Sequence, residues 1–157
     1  MKMIGRILAL VLGNIWMLPN TVVSAVYLGL FWVCGQVRFR GIGRWSIQLE
    51  VKKDSWLWEH MKGGGWNGWA SGAFITMKDY YDKGIIHEER HVLQQMVFGV
   101  FQPVIYILAS VFIWLVFRSK HSYYDNPFER DARKAAGQRV DIPKTWWKSP
   151  DDRWAWW

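Results

Sequence analysis

The residues of this chain best suited to chemistry are His87, Glu88 and His91, in the run His87-Glu88-Glu89-Arg90-His91. On a helix, residues four apart share a face, so both imidazoles can offer a nitrogen to one ion while Glu88, one position round, can reach a water on it. Two neutral imidazoles suit a borderline-soft metal such as Zn2+, and a carboxylate can take a proton from water whose pKa the ion has lowered to about 7. Read without that chemistry, the same turn is an exposed, charged piece of helix in which Glu88, Glu89 and Arg90 are solvated.

A zinc site calls for a third protein ligand. Downstream, His121, Glu129 and Asp131 are the candidates. Pro127 suits the first position of a helix, with Asn126 as its cap, and Glu129 then projects from the first turn. A carboxylate on a helix is a better ligand than one on a loop, because its direction is fixed in advance. Charge developing during a reaction needs one more donor, for which Tyr123 and Tyr124 are the nearest candidates.

The elements that must position these groups belong to a chain of 157 residues, room for one domain with a core. Thirteen Trp and an aromatic content of 17% point to a membrane interface, where a side chain with one apolar and one polar end is favoured; a soluble Trp-rich binding module is the alternative. The net charge of +7 fits an anionic membrane surface better than nucleic acid, because the basic residues flank apolar stretches instead of forming a run of their own. Cys34 is the only cysteine, which excludes an internal disulfide and a Cys-based zinc site.

The pattern predicts an α+β chain, mainly helical and membrane-associated. Residues 1–35 read as an apolar helical hairpin, about 5–17 and 20–34, interrupted by Asn14, Pro19 and Asn20 and dipping into the bilayer; a tilted single span is the alternative. Lys2, Arg6 and Val23-Ser24-Ala25 have the look of a cleavable signal, but apolar character continues to Cys34, which favours a retained anchor. Residues 36–137 form the metal-binding domain. In it, alternation at Val37–Arg40 and Trp45–Val51 predicts a small antiparallel sheet, Trp56–Met61 a short helix, Gly63–Gly68 a loop and Ala73–Met77 a strand.

After the metal helix comes an apolar helix at 97–117, about 31 Å if continuous and enough to cross a bilayer. Crossing would put His91 and Glu129 on opposite sides, so a shared ion predicts a bend at Gly99 and Pro103 and a re-entrant or monotopic chain. Lys2, Arg6, Arg38, Arg40, Arg44, Arg118 and Lys120 flank the apolar stretches and place them all on the cytoplasmic face. Residues 138–157, with five Trp from Trp146 to Trp157, read as an extended tail that lies in the headgroup layer or fills a groove on a protein partner or second copy.

Taken together, Gly72 to Thr76, His87-Glu88 with His91 to Gln94, Gly99 and Pro103 in an apolar run, and Tyr124 to Arg133 resemble a group of small bacterial membrane proteins of zincin type. The arm around Leu18 to Thr21 resembles theirs too, so the likeness covers about residues 10–136. It implies a gluzincin-like site with His87, His91 and Glu129 as ligands and Glu88 as base, in the bacterial inner membrane. By the same likeness, the strand at 73–77 would supply the substrate-binding edge. Glu89-Arg90 departs from the small or apolar residues usual there, and the tail after Gly137 has no counterpart. The implied function is a membrane-associated zinc metallohydrolase, most simply a peptidase. The other reading is a non-catalytic, membrane-bound structural or interaction protein with a structural or relic metal site, of a kind a phage or mobile element could carry.

Overall fold

A computed structural model describes residues 2–117 and 119–144, so the tryptophans from Trp146 onward lie outside the described residues. In chain order the elements are α1 (Lys2–Val33), β1 (Val37–Ile42), β2 (Ile47–Val51), α2 (Trp56–Gly64), β3 (Gly68–Ser71), β4 (Phe74–Met77), α3 (Asp82–Phe98), a single 3-10 turn (Gly99–Phe101), α4 (Gln102–Val116) and α5 (Pro127–Ala135). The chain is α+β and mostly helical, as its pattern predicts.

The expected hairpin is instead one helix, α1, 32 residues long with Pro19 inside it. The residues read as breakers are accommodated. Asn14 Nδ2 donates back to Leu10 O, Thr21 Oγ1 to Met17 O and Ser24 Oγ to Asn20 O, while Asn20 Nδ2 donates to Gly99 O. Side chains that turn onto carbonyls four residues back hide their polarity inside the helix, and Pro19 sits on the exposed face. Gly13, Met17, Ser24 and Leu28 are buried along the opposite face, at the helical period.

The sheet is also a correction. It has four strands in the order β1-β2-β4-β3, and β2 pairs with β4 in parallel, so it is mixed and not antiparallel throughout. The predicted β1–β2 pair is present and antiparallel, with a bulge between Phe39 and Gly41. A parallel neighbour needs a crossover, which α2 supplies. Ser55 caps that helix by accepting from Trp58 N, and Gly65 ends it at φ 76°, a left-handed conformation that glycine adopts without a Cβ clash. β4 is therefore an interior strand with Ile75, Thr76 and Met77 buried, and the edge is β3. The strand immediately before α3 has no free edge to offer.

One core cluster joins Leu28 of α1 to Val37, Leu49 and Val51 of the sheet and Leu57 and Met61 of α2; another joins Met17, Ile75 and Val92. Through the second, α3 is held against both α1 and the sheet. The apolar stretch after α3 is broken at Gly99, whose φ of 56° and ψ of −135° suit glycine alone, and Pro103 falls in the first turn of α4. The chain returns after α4, and Asn126 caps α5 by accepting from Phe128 N. Stretches Leu10–Val33 and Asp82–Val116 are each long and apolar enough by composition to cross a membrane.

Candidate metal centre

Helix α3 presents His87, Glu88 and His91 on its buried side, and α5 brings Glu129 to meet them. All four are buried, Glu129 most completely at 3% exposed. His87 Nε2 and His91 Nε2 are 3.2 Å apart. Glu129 Oε2 is 3.3 Å from the first and Oε1 is 3.2 Å from the second. Ligands about 2.0–2.1 Å from a tetrahedral zinc must be about 3.3 Å from one another, so the two nitrogens, and each nitrogen with the carboxylate oxygen nearest it, lie at the separation of a coordination edge. Asp131 and His121, the other candidates for third ligand, are engaged elsewhere. Asp131 pairs with Arg90, and His121 Nδ1 accepts from Tyr123 N and Tyr124 N in the turn leading to α5.

The protonation of the histidines is set by their outer nitrogens. Gln94 Nε2 donates to Phe128 O at 3.0 Å and Asp131 Oδ2 at 2.9 Å, which turns its Oε1 toward His91 Nδ1 at 2.8 Å. An amide oxygen only accepts, so Nδ1 carries a proton, and in the neutral ring Nε2 keeps its lone pair. Gln138 does the same for His87: Oε1 lies 3.0 Å from Nδ1 and Nε2 reaches Lys83 O. Outer partners of this kind orient ligating imidazoles and fix their tautomer. In that neutral state two bare Nε2 atoms cannot hydrogen-bond each other, and Glu129 Oε2 is buried with no hydrogen-bond partner, although the Arg133 guanidinium pairs with it at 3.6 Å. A cation between them satisfies all three. The donor set, two imidazole nitrogens and a carboxylate oxygen, is one that zinc takes.

The charges agree with that reading. Burial alone would raise the Glu129 carboxyl, but His91 and His87 beside it hold it well below the usual carboxylate range. Burial alone would lower His91, but Glu129 brings it up to about 9. The cluster thus stabilises a positive charge between its members, which a proton or a metal can supply. Burial raises Glu88, against the pull of His91 and His87. A carboxylate with a raised pKa is a stronger base than one on a surface. Glu88 Oε1 lies beside Gly68 of the edge strand β3, 3.4 Å from where a Cβ would stand.

Tyr124, a candidate donor in the sequence, packs against His121 with ring centroids 4.5 Å apart and tilted by 39°, and the Arg133 guanidinium is 5.1 Å from its ring. Tyr123 is nearer the centre. Burial first and the Glu129 charge second push its phenol well above the ordinary value, so it remains a neutral O–H. The tyrosine hydrogen-bonded to the centre is one the sequence reading missed: Tyr106 of α4 donates to Glu129 Oε1 at 3.0 Å. A signal for it existed. Gln102, Tyr106 and Ser110 recur every four residues in an otherwise apolar run, which marks an inward polar stripe.

Glu89 and Arg90, read as solvated, are also scaffold. Glu89 Oε1 accepts from Arg44 N and Ser46 Oγ, holding the β1–β2 turn, and Arg90 grips Asp131 of α5 through two hydrogen bonds of 2.7 and 3.1 Å. Comparison with protein-family models, curated proteins and solved structures finds no match to this chain.

Proposed function

We propose that the chain is a membrane-associated zinc metallohydrolase, most simply a peptidase, seated on the cytoplasmic face of a bacterial inner membrane. The observation that carries the reading is the convergence of His87 Nε2, His91 Nε2 and the Glu129 carboxylate at 3.2–3.3 Å, with Glu129 Oε2 buried and reached by no hydrogen bond and, from outside the cluster, only by an ion pair with Arg133 at 3.6 Å. His87, His91 and Glu129 would hold the ion, with Gln138 and Gln94 fixing the two rings. Zinc bound there supplies Lewis acidity, polarising a carbonyl and making water acidic near neutral pH. Glu88 accepts the proton of the attacking water, which its burial and raised pKa favour. Tyr106 steadies Glu129, and Tyr123 or Tyr124 offers an O–H toward negative charge on the substrate.

Metal analysis of the full chain purified without chelators tests this: about one zinc per chain is expected, and His87→Ala should remove it. Glu88→Gln should keep the metal and abolish cleavage of an unfolded protein substrate. Zinc-free wild type overturns the metal reading, and full activity in Glu88→Gln overturns the role of Glu88.

A second reading, a structural zinc in a non-catalytic membrane protein, is favoured by how closed the cluster is. The side chains of His87 and His91 are each 10% exposed and that of Glu129 is 4% exposed. Structural zinc sites are closed and contribute directly to folding. On that reading chelation unfolds the chain, while Glu88→Gln changes nothing.

A further inference from the structure

Helix α1 is apolar on the side that faces away from the protein. Val11, Leu12, Ile15, Leu18, Val22 and Val26 are each more than half exposed, and no charged residue falls on that face between Leu8 and Val33. Those 26 positions span about 38 Å of helix. Helix α4 is similar: Val104, Leu108, Phe112 and Leu115 are exposed opposite its buried stripe. The two surfaces meet where Trp16 and Phe101, both about half exposed, stand 6.1 Å apart. A continuous apolar surface of this extent is a docking surface.

We infer that this surface lies flat in one leaflet of an anionic bilayer, with α1 parallel to the membrane plane. Three observations choose the occupant and its orientation. First, α1 cannot stand across a bilayer. From Leu10 onward its inner face carries the sheet, including the Arg38–Glu50 ion pair with Arg38 59% exposed, and an upright helix would drag these charges into hydrocarbon.

Second, α4 does not cross. Its 15 residues reach about 22 Å, and the chain after it returns Glu129 to His87 and His91 on the side it left. Third, the surface is rimmed by cations and indole rings. Lys120 Nζ lies over Phe117 at the end of α4, and Lys52 Nζ would lie 3.8 Å from a Cβ on Gly35, just past the end of α1. Arg44 covers Trp45 beside Leu10 and Asn14 near the other end. Lysine and arginine around an apolar face, with tryptophan at the boundary, match phosphate headgroups above acyl chains. A second copy of the chain would bring the same cations against themselves.

The inference rests on the fold and stands or falls independently of the metal reading. Its test uses the full chain bound to vesicles of phosphatidylcholine, with and without phosphatidylglycerol. In a Cys34→Ser background, nitroxides are placed singly at positions 11, 15, 22 and 26, and their depth is read from collisions with oxygen and with a water-soluble relaxant. Equal, shallow depths at all four positions are expected. A steady change in depth from 11 to 26 means a crossing helix and overturns the inference, as does a chain that binds neither kind of vesicle. Val22→Asp, on the exposed face where the fold is untouched, should reduce vesicle binding at least tenfold with an unchanged circular dichroism spectrum. Lys52→Glu should reduce the preference for phosphatidylglycerol. Equal depths lost in favour of a dimer whose interface contains positions 15 and 22 would assign the surface to a second copy and overturn the bilayer.

Discussion

Helices α1 and α3 both carry polar residues, but those residues have different uses. On α1, Asn14, Thr21 and Ser24 turn back onto the helix's own carbonyls, and the contacts that leave the helix are few: Thr21 Oγ1 accepts from Ala73 N, Ser24 Oγ meets Ser71 Oγ and Asn20 donates to Gly99 O. On α3 they reach outward. Glu89 holds the β1–β2 turn, Arg90 and Gln94 hold α5, Gln95 accepts from Gly72 N in the β3–β4 turn, and His87 meets Gln138 beyond α5. Polarity turned back on the helix or in toward the sheet leaves α1 an exterior that is largely apolar. Outward polarity makes α3 the element on which the rest of the chain is assembled, and it brings a carboxylate 38 residues after His91 onto the same point as two imidazoles.

The sharpest way to break this contrast is at Glu129. Glu129→Ala should weaken zinc binding more than a hundredfold in chelator competition, because two nitrogens alone do not make a zinc site. Next come the glutamines. Gln94→Leu and Gln138→Leu should each lower zinc affinity by about 10–100-fold while leaving stoichiometry at saturating metal unchanged. If Gln138→Leu is silent, the chain beyond α5 does not act on His87.

A smaller loss is expected from Arg90→Ala, about 1 kcal/mol or less in urea unfolding, since the pair with Asp131 is 41% exposed on both sides. The Arg90 hydrogen bonds hold the Asp131 carboxyl below its usual range. The pair's contribution should therefore be complete above the unfolded carboxyl's pKa of about 3.9 and fade as the pH falls below it, in wild type but not in Arg90→Ala. The smallest effect belongs to α1: Asn14→Leu, which removes a hydrogen bond the helix makes only to itself, should change stability by about 0.5 kcal/mol or less.

The spacing of His87, Glu88 and His91 was legible because a helical period alone puts them on one face. Glu129 was legible because Asn126 and Pro127 announce the helix that aims it. Gln138 was not, since its contact depends on the path of the chain after a helix has ended. Nor was β3, four residues of which Gly68, Ala70 and Ser71 are small, with no alternation to mark a strand. The parallel register of β2 with β4 is likewise absent from either strand's own sequence, because α2 decides it. Asn14, Pro19 and Asn20 were misleading in a different way. Residue type suggests a break, whereas what counts is whether each amide finds a carbonyl, and both do.

The order of the ligands along the chain also governs when the centre can come into being. His87 and His91 leave the ribosome first, Glu129 follows 38 residues after His91, and Gln138 comes later still. Segments made early generally fold early, so α1 and the sheet can be in place while α3 still lacks its acidic partner. If the cluster holds zinc as proposed, metal capture would then be the closing step of maturation. A cell starved of zinc would accumulate a chain with its first half folded and α5 undocked, and that intermediate would be the form most open to proteolysis.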